Sequence, residues 1–356
     1  MQQTENLNIE AFEPMPTPEE VHARVPLSEA AAESVLAGRR TLERILDGKD
    51  PRIFVVVGPC SIHDPAAGLD YARRLKRLAD EVAATMVLVM RVYFEKPRTS
   101  TGWKGYINDP YMDDSFHIEE GMKKAREFLL AVNELGLPAG TEALDPIAPQ
   151  YLGDLLAWTA IGARTSESQT HREMSSGLST PVGFKNGTDG SVDAAINAII
   201  SASRPHSFLG ISGEGRSAVI RTRGNRYGHL VLRGGGDRPN YDTVSVTMAE
   251  KSLAAAKLAE NVVIDCSHAN SYKKPELQPL VMHDCVNQIR AGNRSIVGLM
   301  IESFIEAGNQ PIADDLSKLK YGCSVTDACV DWPTTETMIR EARSALQRLL
   351  VTRNAR

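Results

Sequence analysis

Ile53-Phe54-Val55-Val56-Val57, followed by Gly58-Pro59-Cys60, is an apolar run of strand length that ends at a reactive side chain. Seven more runs of this kind follow it, with longer amphipathic patterns between them. Near-continuous apolar strands separated by helices indicate a parallel sheet that is buried on both faces. Eight such strands predict an α/β protein with a closed (β/α)8 TIM barrel, although their number alone leaves an open sheet as the alternative. The other seven runs are Met86–Met90, Leu137–Thr141, Trp158–Ala163, Val182–Phe184, His229–Leu232, Val262–Asp265 and Ile296–Ile301.

The segment before the first run is predicted to be an N-terminal extension. It covers residues 1–50, so the barrel is expected to span 51–356. Ser28 is a suitable N-cap for a helix that ends near Leu46. The region before that helix is predicted to be extended because it contains Pro14, Pro16 and Pro18.

Residues 205–228 interrupt the alternation of strands and helices. Two β-like runs, His206–Ile211 and Ala218–Thr222, flank Gly213-Glu214-Gly215. This pattern predicts a β-hairpin inserted before the sixth barrel strand. A dinucleotide-binding loop is disfavoured, because that motif needs a strand, a glycine turn and a helix in order.

The bulk composition excludes several classes of function. The formal net charge of −5 argues against a nucleic-acid or membrane-surface protein, which would need a basic face. No apolar run approaches the roughly 18 residues of a membrane span, and residues 1–16 lack the pattern of a signal peptide. The five cysteines are scattered without metal-finger spacing, so we expect reduced thiols in a cytoplasmic protein.

A polar residue suited to catalysis follows each of the eight apolar runs within a residue or two. In a parallel barrel the carboxyl ends of all strands open onto one face, where active sites are built. One polar strand end means little, whereas eight on the same face indicate an active site. In chain order they are Cys60, Arg91, Glu142, Arg164, Lys185, Arg233, His268 and Glu302.

Four of these strand-end residues are cations: Arg91, Arg164, Lys185 and Arg233. Like charges at one mouth repel each other unless a multiply charged anion lies between them. Arg matches phosphate and carboxylate through paired hydrogen bonds, and Lys supplies a point charge. We therefore expect a ligand that carries both a phosphate and a carboxylate. For any single one of the four, the alternative is a surface salt bridge worth about 0–1 kcal/mol.

Three further strand-end residues offer metal ligands. Cys60, His268 and Glu302, together with Asp327 in Ser324-Val325-Thr326-Asp327, form a mixed sulfur, nitrogen and oxygen set. Such a set suits Mn²⁺, Fe²⁺, Co²⁺ or Zn²⁺ better than Mg²⁺ or Ca²⁺. A lone Cys or His at a strand end is more often a packed core residue, and only the barrel prediction brings these residues together.

Eight short motifs surround these residues: Gly58-Pro59-Cys60-Ser61-Ile62-His63, Lys96-Pro97-Arg98-Thr99, Gly102-Trp103-Lys104-Gly105, Gly162-Ala163-Arg164-Thr165, Gly183-Phe184-Lys185-Asn186-Gly187, Asp265-Cys266-Ser267-His268, Gly298-Leu299-Met300-Ile301-Glu302-Ser303 and Ser324-Val325-Thr326-Asp327. Together they resemble class I 3-deoxy-D-arabino-heptulosonate 7-phosphate (DAHP) synthases of the amino-acid-inhibited bacterial type. The resemblance implies a (β/α)8 barrel that condenses phosphoenolpyruvate with D-erythrose 4-phosphate and releases phosphate. This reaction opens the shikimate pathway to chorismate and the aromatic amino acids.

The resemblance also implies roles for individual residues. A divalent metal would be held by Cys60, His268, Glu302 and Asp327, and Asp327 would also contact substrate. Phosphoenolpyruvate would be held by Arg91, Lys96, Arg164, Lys185 and Arg233, with Glu142 and the backbone of Gly162 and Ala163 beside it.

The lysine segment implies the choice of the second substrate. Arg98 and Thr99 match positions that hold the phosphate of the aldose. A sister family that uses arabinose 5-phosphate carries Lys-Ala-Asn-Arg-Ser there, so Lys96-Pro97-Arg98-Thr99 favours the four-carbon aldose. Two departures from the family pattern, Ala269 and Phe304, touch no implied ligand.

The proton transfers are assigned as hypotheses. Lys96 is the candidate acid for the new alkoxide, because its loop is expected to face the aldose. Glu142 or a water on the metal would take the proton of the attacking water. Cys60 and His268 would contribute to catalysis by holding the metal, which polarises the aldehyde.

Inhibition by an aromatic amino acid is implied by the same resemblance. In the family the inhibitor cavity lies away from the barrel mouth and includes a neighbour's N-terminal extension, so a homodimer or homotetramer is expected. Pro146 resembles the tyrosine-inhibited members; phenylalanine and tryptophan are the alternatives, and Pro146 could instead merely shape a turn. The residues expected at the cavity are Pro146, Gln150, Leu178, Ser179, Phe208 and Ile220, the last two in the hairpin.

Two rival functions remain. Lys185 could form a Schiff base in a metal-independent aldolase, which would leave Cys60, His268 and Asp327 without a role. Alternatively, a non-catalytic barrel could bind an amino acid as a sensor, which the complete set of cations disfavours.

Overall fold

Eight parallel strands close into a barrel in the computed structural model, which describes residues 4–98 and 102–349. Around the barrel the strands follow the order β1-β10-β9-β8-β5-β4-β3-β2, and β6 and β7 form a separate two-stranded sheet. The closed barrel is confirmed and the open sheet is not. The strands are β1 Ile53–Gly58, β2 Met86–Arg91, β3 Ala139–Glu142, β4 Trp158–Ile161, β5 Val182–Lys185, β6 Ser207–Ile211, β7 Ser217–Arg221, β8 Gly228–Leu232, β9 Val262–Asp265 and β10 Ile296–Glu302.

Helices surround the barrel and connect its strands. Several begin at a side-chain cap; Asp64, for example, accepts hydrogen bonds from the backbone at the start of the helix that follows β1. No helix in 4–98 or 102–349 is both long enough and apolar enough to cross a membrane. The helices are α1 Pro18–Arg24, α2 Glu29–Leu46, α3 Pro65–Val82, α4 Ile118–Glu134, α5 Ala148–Leu152, α6 Gln169–Ser175, α7 Asp193–Ala202, α8 Thr243–Ala255, α9 Gln278–Arg290 and α10 Trp332–Leu346.

The first strand shows how the sequence builds two apolar layers. Its six residues are all buried, and successive side chains point to opposite faces. Phe54 and Val56 belong to the cluster inside the barrel, whereas Val55 belongs to the cluster between the strands and the outer helices. Helix α2 contributes Leu42 to the inner cluster, so it closes the amino-terminal end of the barrel. The carboxyl end is left open for a site.

The segment with three prolines is not extended throughout. Helix α1 begins at Pro18, and its start has a capping box in which Thr17 and Glu20 exchange hydrogen bonds. Pro18 occupies the first helical position, where proline is favourable because no amide hydrogen is needed. The extended prediction was therefore wrong from Pro18 onwards.

The inserted hairpin forms as predicted, with Phe208 opposite Ile220 in its antiparallel register. Its turn contacts the extension, because the Glu19 amide donates a 3.0 Å hydrogen bond to the carbonyl of Gly213. The outer face of the hairpin is apolar and open, with Leu209 84% and Val219 62% exposed. Such a face is typical of a surface that contacts another chain.

Candidate active site

The carboxyl ends of the strands surround a chamber of about 160 Å³, here called the substrate chamber. Eleven of its lining residues are among those predicted from the sequence; Thr99, also predicted, lies outside the described residues. Thr165, Thr188, Lys273 and Thr326 line it as well and were not singled out. The predicted residues in the lining are Arg91, Lys96, Arg98, Glu142, Gly162, Ala163, Arg164, Lys185, Arg233, His268 and Asp327.

The cations of this chamber fall into two groups. Arg91 is buried and donates a 2.7 Å hydrogen bond to Glu302, and Nζ of Lys185 lies 3.3 Å from the buried Asp265. By contrast, three arginines of the lining form no ion pair with any of the described residues. A cation without a protein counter-charge inside a cavity favours an anionic ligand. The three are Arg98, Arg164 and Arg233.

The predicted metal ligands come together at one side of the chamber. The ligand atoms of Cys60, Glu302 and Asp327 all lie within 4.8 Å of one another. His268, the fourth predicted ligand, lies at the edge of this group, with Nε2 4.0 Å from Glu302. The distance from Sγ of Cys60 to Oδ2 of Asp327 is 3.8 Å. One cation in the middle could therefore reach all three close ligands.

Asp265 orients the histidine and was not recognised as functional from the sequence. Its carboxylate lies 2.9 Å from Nδ1 of His268, which leaves Nε2 to face the ligand group. A carboxylate behind a histidine commonly fixes the ring for metal binding. Burial would raise the pKa of Asp265, but the charges of His268 and Lys185 hold it well below its usual value. Asp265 therefore stays ionised between the metal-ligand group and a substrate-chamber lysine.

Lys96 joins the substrate chamber to the ligand group. Its Nζ donates hydrogen bonds to Sγ of Cys60 at 3.0 Å and to the carbonyl of Cys60 at 3.2 Å. Burial would lower the pKa of Lys96, but Cys60 raises it above its usual value. Burial raises the pKa of the Cys60 thiol, and Glu302 raises it further. Lys96 is thus held as an ammonium group that can donate a proton.

Small residues and amides hold the remaining groups in place. A Cβ on Gly162 would lie 2.4 Å from Oε1 of Glu142, so only glycine lets that carboxylate rest against the backbone. The side chain of Asn186 accepts a 2.8 Å hydrogen bond from the amide of Arg233. Asn186 stands in a motif noted above, but its supporting role depends on a contact between two strands that sequence spacing does not reveal.

A second cavity of about 330 Å³, here called the lateral cavity, lies beside the barrel. Three of the six predicted inhibitor residues line it: Gln150, Leu178 and Ser179. Pro146, Phe208 and Ile220 are not in its lining among the described residues. The lateral cavity and the substrate chamber share one lining residue, Glu142.

The chain is a (β/α)8-barrel protein whose mouth is lined by arginines and lysines beside a cluster of side chains that could hold a metal ion. The particular family is given by comparison: the chain belongs to the DAHP synthetase I family, whose sequence pattern matches residues 24–340. The family and the fold predicted from the motifs are thus confirmed.

Individual relatives resemble the chain over almost its whole length. It is 53% identical over 350 residues to the Tyr-sensitive phospho-2-dehydro-3-deoxyheptonate aldolase of Salmonella typhimurium, covering 98% of both chains. It is 48% identical over 345 residues to the Phe-sensitive enzyme of that name from Escherichia coli, covering 97% of this chain and 98% of that one. The solved structure of the aldolase of that name from Francisella tularensis has a TM-score of 0.93 and 45% identity, covering 96% of this chain and 99% of that one.

Proposed function

We propose that the protein condenses phosphoenolpyruvate with D-erythrose 4-phosphate and water, giving DAHP and inorganic phosphate, in the cytoplasm. The observation that carries this proposal is the substrate chamber itself. Three arginines that form no ion pair with any described residue lie there beside a thiol, two carboxylates and an imidazole. Family membership supports the same reaction.

Phosphoenolpyruvate suits the cations of the chamber. It carries a phosphate and a carboxylate, and Arg164 and Arg233 can bind either group through paired hydrogen bonds. Lys185 adds a point charge, and the backbone of Ala163 lines the same wall. Arg98, whose Nε donates to the carbonyl of Trp103 at 2.7 Å, is assigned to the phosphate of the aldose. Thr99 is assigned to that phosphate with it.

A divalent transition metal suits the ligand group. Cys60, His268, Glu302 and Asp327 offer sulfur, nitrogen and oxygen donors, the mixture that Mn²⁺, Fe²⁺, Co²⁺ and Zn²⁺ accept. Because burial raises the pKa of Cys60, its thiol keeps its proton until a cation replaces it. When bound, the metal supplies Lewis-acid polarisation of the aldehyde oxygen.

The protein's own side chains would do the rest of the chemistry. The arginines hold C3 of phosphoenolpyruvate against the aldehyde carbon, and positioning two reactants in this way can contribute several kcal/mol. C3 attacks the aldehyde and Lys96 donates a proton to the oxygen that becomes an alkoxide. Water then adds to C2 and Glu142 takes one of its protons. The bond between C2 and the phosphate oxygen breaks, and the remaining hydroxyl proton leaves with the phosphate as the C2 ketone forms.

The test is phosphate release from phosphoenolpyruvate with each of two aldoses. We expect release with erythrose 4-phosphate and little with arabinose 5-phosphate. Equal rates with both sugars would contradict the choice of substrate, and no release with either would contradict the reaction. Borohydride trapping with substrate provides a control for a Schiff base. That alternative is not favoured, because Lys185 is paired with the buried Asp265.

We further propose that tyrosine inhibits the protein by binding in the lateral cavity, with the hairpin and a neighbour's extension completing the site in a homodimer or homotetramer. The exposed apolar face of the hairpin and the 53% identity to a Tyr-sensitive relative support this proposal. Assays with tyrosine, phenylalanine and tryptophan separately should show the strongest inhibition by tyrosine. Stronger inhibition by either of the others would overturn the assignment.

A further inference from the structure

A third cavity reaches the metal-ligand group from another direction. It has a volume of about 240 Å³ and is here called the side chamber. It shares His268, Lys273 and Asp327 with the substrate chamber. Glu302, in contrast, lines the side chamber and is not in the lining of the substrate chamber. One of the three closely grouped ligands is therefore approached from the side chamber.

The two chambers differ sharply in charge. Among the described residues, the substrate chamber has two carboxylates, Glu142 and Asp327, and seven cations in its lining: Arg91, Lys96, Arg98, Arg164, Lys185, Arg233 and Lys273. The side chamber contains one Lys or Arg, Lys273, opposite the carboxylates of Glu302 and Asp327. Its imidazole, that of His268, is common to both chambers, and its remaining polar side chains are serines and amides. A divalent cation is repelled by the first lining and attracted by the second.

The side chamber is wide and its walls are fixed. Its volume exceeds the roughly 30 Å³ of one liquid water many times, so a cation can enter with water around it. The Gln278 side chain accepts from the amide of Glu302 and donates to its carbonyl, both at 3.0 Å. Asn309 donates a 2.8 Å hydrogen bond to the carbonyl of Thr326, next to Asp327. Both polar wall residues thus brace a ligand segment.

The opening of the side chamber lies at the surface. Lys273 and Asn309 are exposed, and Pro275 and Ala328 are half-buried. The loop that carries Lys273 is held in an uncommon backbone shape, with φ of 56° at His268, 52° at Tyr272 and 58° at Lys273. The amide of Lys273 donates a 2.7 Å hydrogen bond to the carbonyl of His268. This loop keeps the wall between the two chambers in place.

We propose that the side chamber is the route by which the divalent cation reaches and leaves its ligands, independently of the substrate chamber. The inference rests on the metal site of the proposed function. It implies that phosphoenolpyruvate bound among the arginines blocks neither the binding nor the release of the metal. Metal and substrate then bind through separate openings and in either order.

The test is the rate of Co²⁺ uptake by the metal-free protein, read in stopped flow from the thiolate-to-Co²⁺ absorption of Cys60. Calorimetry first establishes the concentration of phosphoenolpyruvate that saturates the metal-free protein. We expect the same uptake rate with and without saturating phosphoenolpyruvate. An uptake rate that falls with the occupancy of phosphoenolpyruvate would overturn the route. Absence of the Co²⁺ absorption at equilibrium would instead overturn the metal site of the proposed function.

Two bulky substitutions test the route without substrate. Pro275→Trp narrows the side chamber alone, and Thr188→Trp narrows the substrate chamber alone. We expect Pro275→Trp to slow Co²⁺ uptake about tenfold, equivalent to about 1.4 kcal/mol on the barrier to entry through the side chamber, and Thr188→Trp to leave the uptake rate unchanged. Ala328→Leu, also in the side chamber, should slow uptake in the same direction if Pro275→Trp does not fold. Slowing by Thr188→Trp with none by the side-chamber variants would overturn the proposal.

Discussion

The substrate chamber and the lateral cavity are neighbours built in different ways. The chamber is lined by residues at the ends of barrel strands, whereas the lateral cavity is lined by α5, by the turn before β5 and by side chains such as Arg39 of α2. Both cavities are lined by Glu142. Two adjacent residues line different cavities, because Glu95 lines the lateral cavity and Lys96 lines the substrate chamber. Under the proposed functions, catalysis and inhibition would therefore be separable by substitutions at adjacent residues.

The largest effect is expected on the chamber side of this division. Lys96→Met should lower kcat about 10²- to 10⁴-fold, because the proton donor for the alkoxide is lost. Lys123→Met, at a half-buried position of α4 that lines neither cavity, is the matched control and should keep full turnover. Steady-state phosphate release measures both. A Lys96→Met protein with normal kcat would show that the proton comes from elsewhere.

A smaller effect is expected when a chamber arginine is removed. Arg164→Ala should raise KM for phosphoenolpyruvate about 10- to 100-fold, since a charged hydrogen bond contributes about 1.5–3 kcal/mol. Arg39→Ala provides the comparison on the lateral side, where Arg39 donates to the carbonyls of Leu156 and Gly153. It should leave that KM unchanged. Equal changes in the two proteins would erase the distinction between the cavities.

Glu95 gives the lateral cavity a pH-dependent stability. Burial and the nearby Asp145 raise the pKa of Glu95 to about 7 from a usual value of 4.5. The folded protein therefore binds this proton more tightly than the unfolded chain, so the contribution to stability is full below about 4.5 and is lost as pH rises through about 7. From pH 5 to pH 8, the free energy of unfolding of Glu95→Gln should therefore rise relative to that of the parent by about 2–3 kcal/mol.

Urea unfolding of the parent and Glu95→Gln at the two pH values measures this difference. Glu341→Gln, an exposed carboxylate on α10, serves as the control and should show no comparable change with pH. If the two glutamine variants respond to pH alike, Glu95 does not titrate in this range in the folded protein.

The smallest effect is expected in inhibition. Gln150→Leu should weaken tyrosine inhibition about fivefold, because one hydrogen bond contributes about 1 kcal/mol to binding. KM for phosphoenolpyruvate should stay at the parent value. Dose–response curves for tyrosine measure the first quantity and initial rates the second. A change in KM with unchanged inhibition would show that Gln150 contributes to substrate binding and not to inhibitor binding.

The strands and the substrate chamber were predictable because the carboxyl ends of all parallel strands in a barrel lie on one face. Apolar runs mark the strands, and residues such as Cys60 and Glu302 come within two positions of a strand end, so their meeting follows from topology. The role of Asp265 was harder to predict, because its position at a strand end does not reveal that its carboxylate faces His268. Lys273 was missed because its approach to the mouth depends on a left-handed backbone within an irregular loop.

The lateral cavity was less predictable for a physical reason. Gln150, Leu178 and Ser179 come from separate loops and helices, and no periodic pattern brings them together. Pro146 and Phe208 were expected with them and lie outside its lining among the described residues. Likewise, the Thr17 and Glu20 capping box was hidden by neighbouring prolines, although Pro18 favours the start of a helix.

The central claim is that one metal and one phosphorylated acid share the mouth of the barrel. Phosphate release from phosphoenolpyruvate and erythrose 4-phosphate, measured before chelation, after prolonged chelation and after Mn²⁺ or Fe²⁺ is returned, tests it most directly. We predict that chelation abolishes release, that the metal restores it, and that Cys60→Ala is inactive throughout. Full release after chelation, or in Cys60→Ala, would contradict the claim.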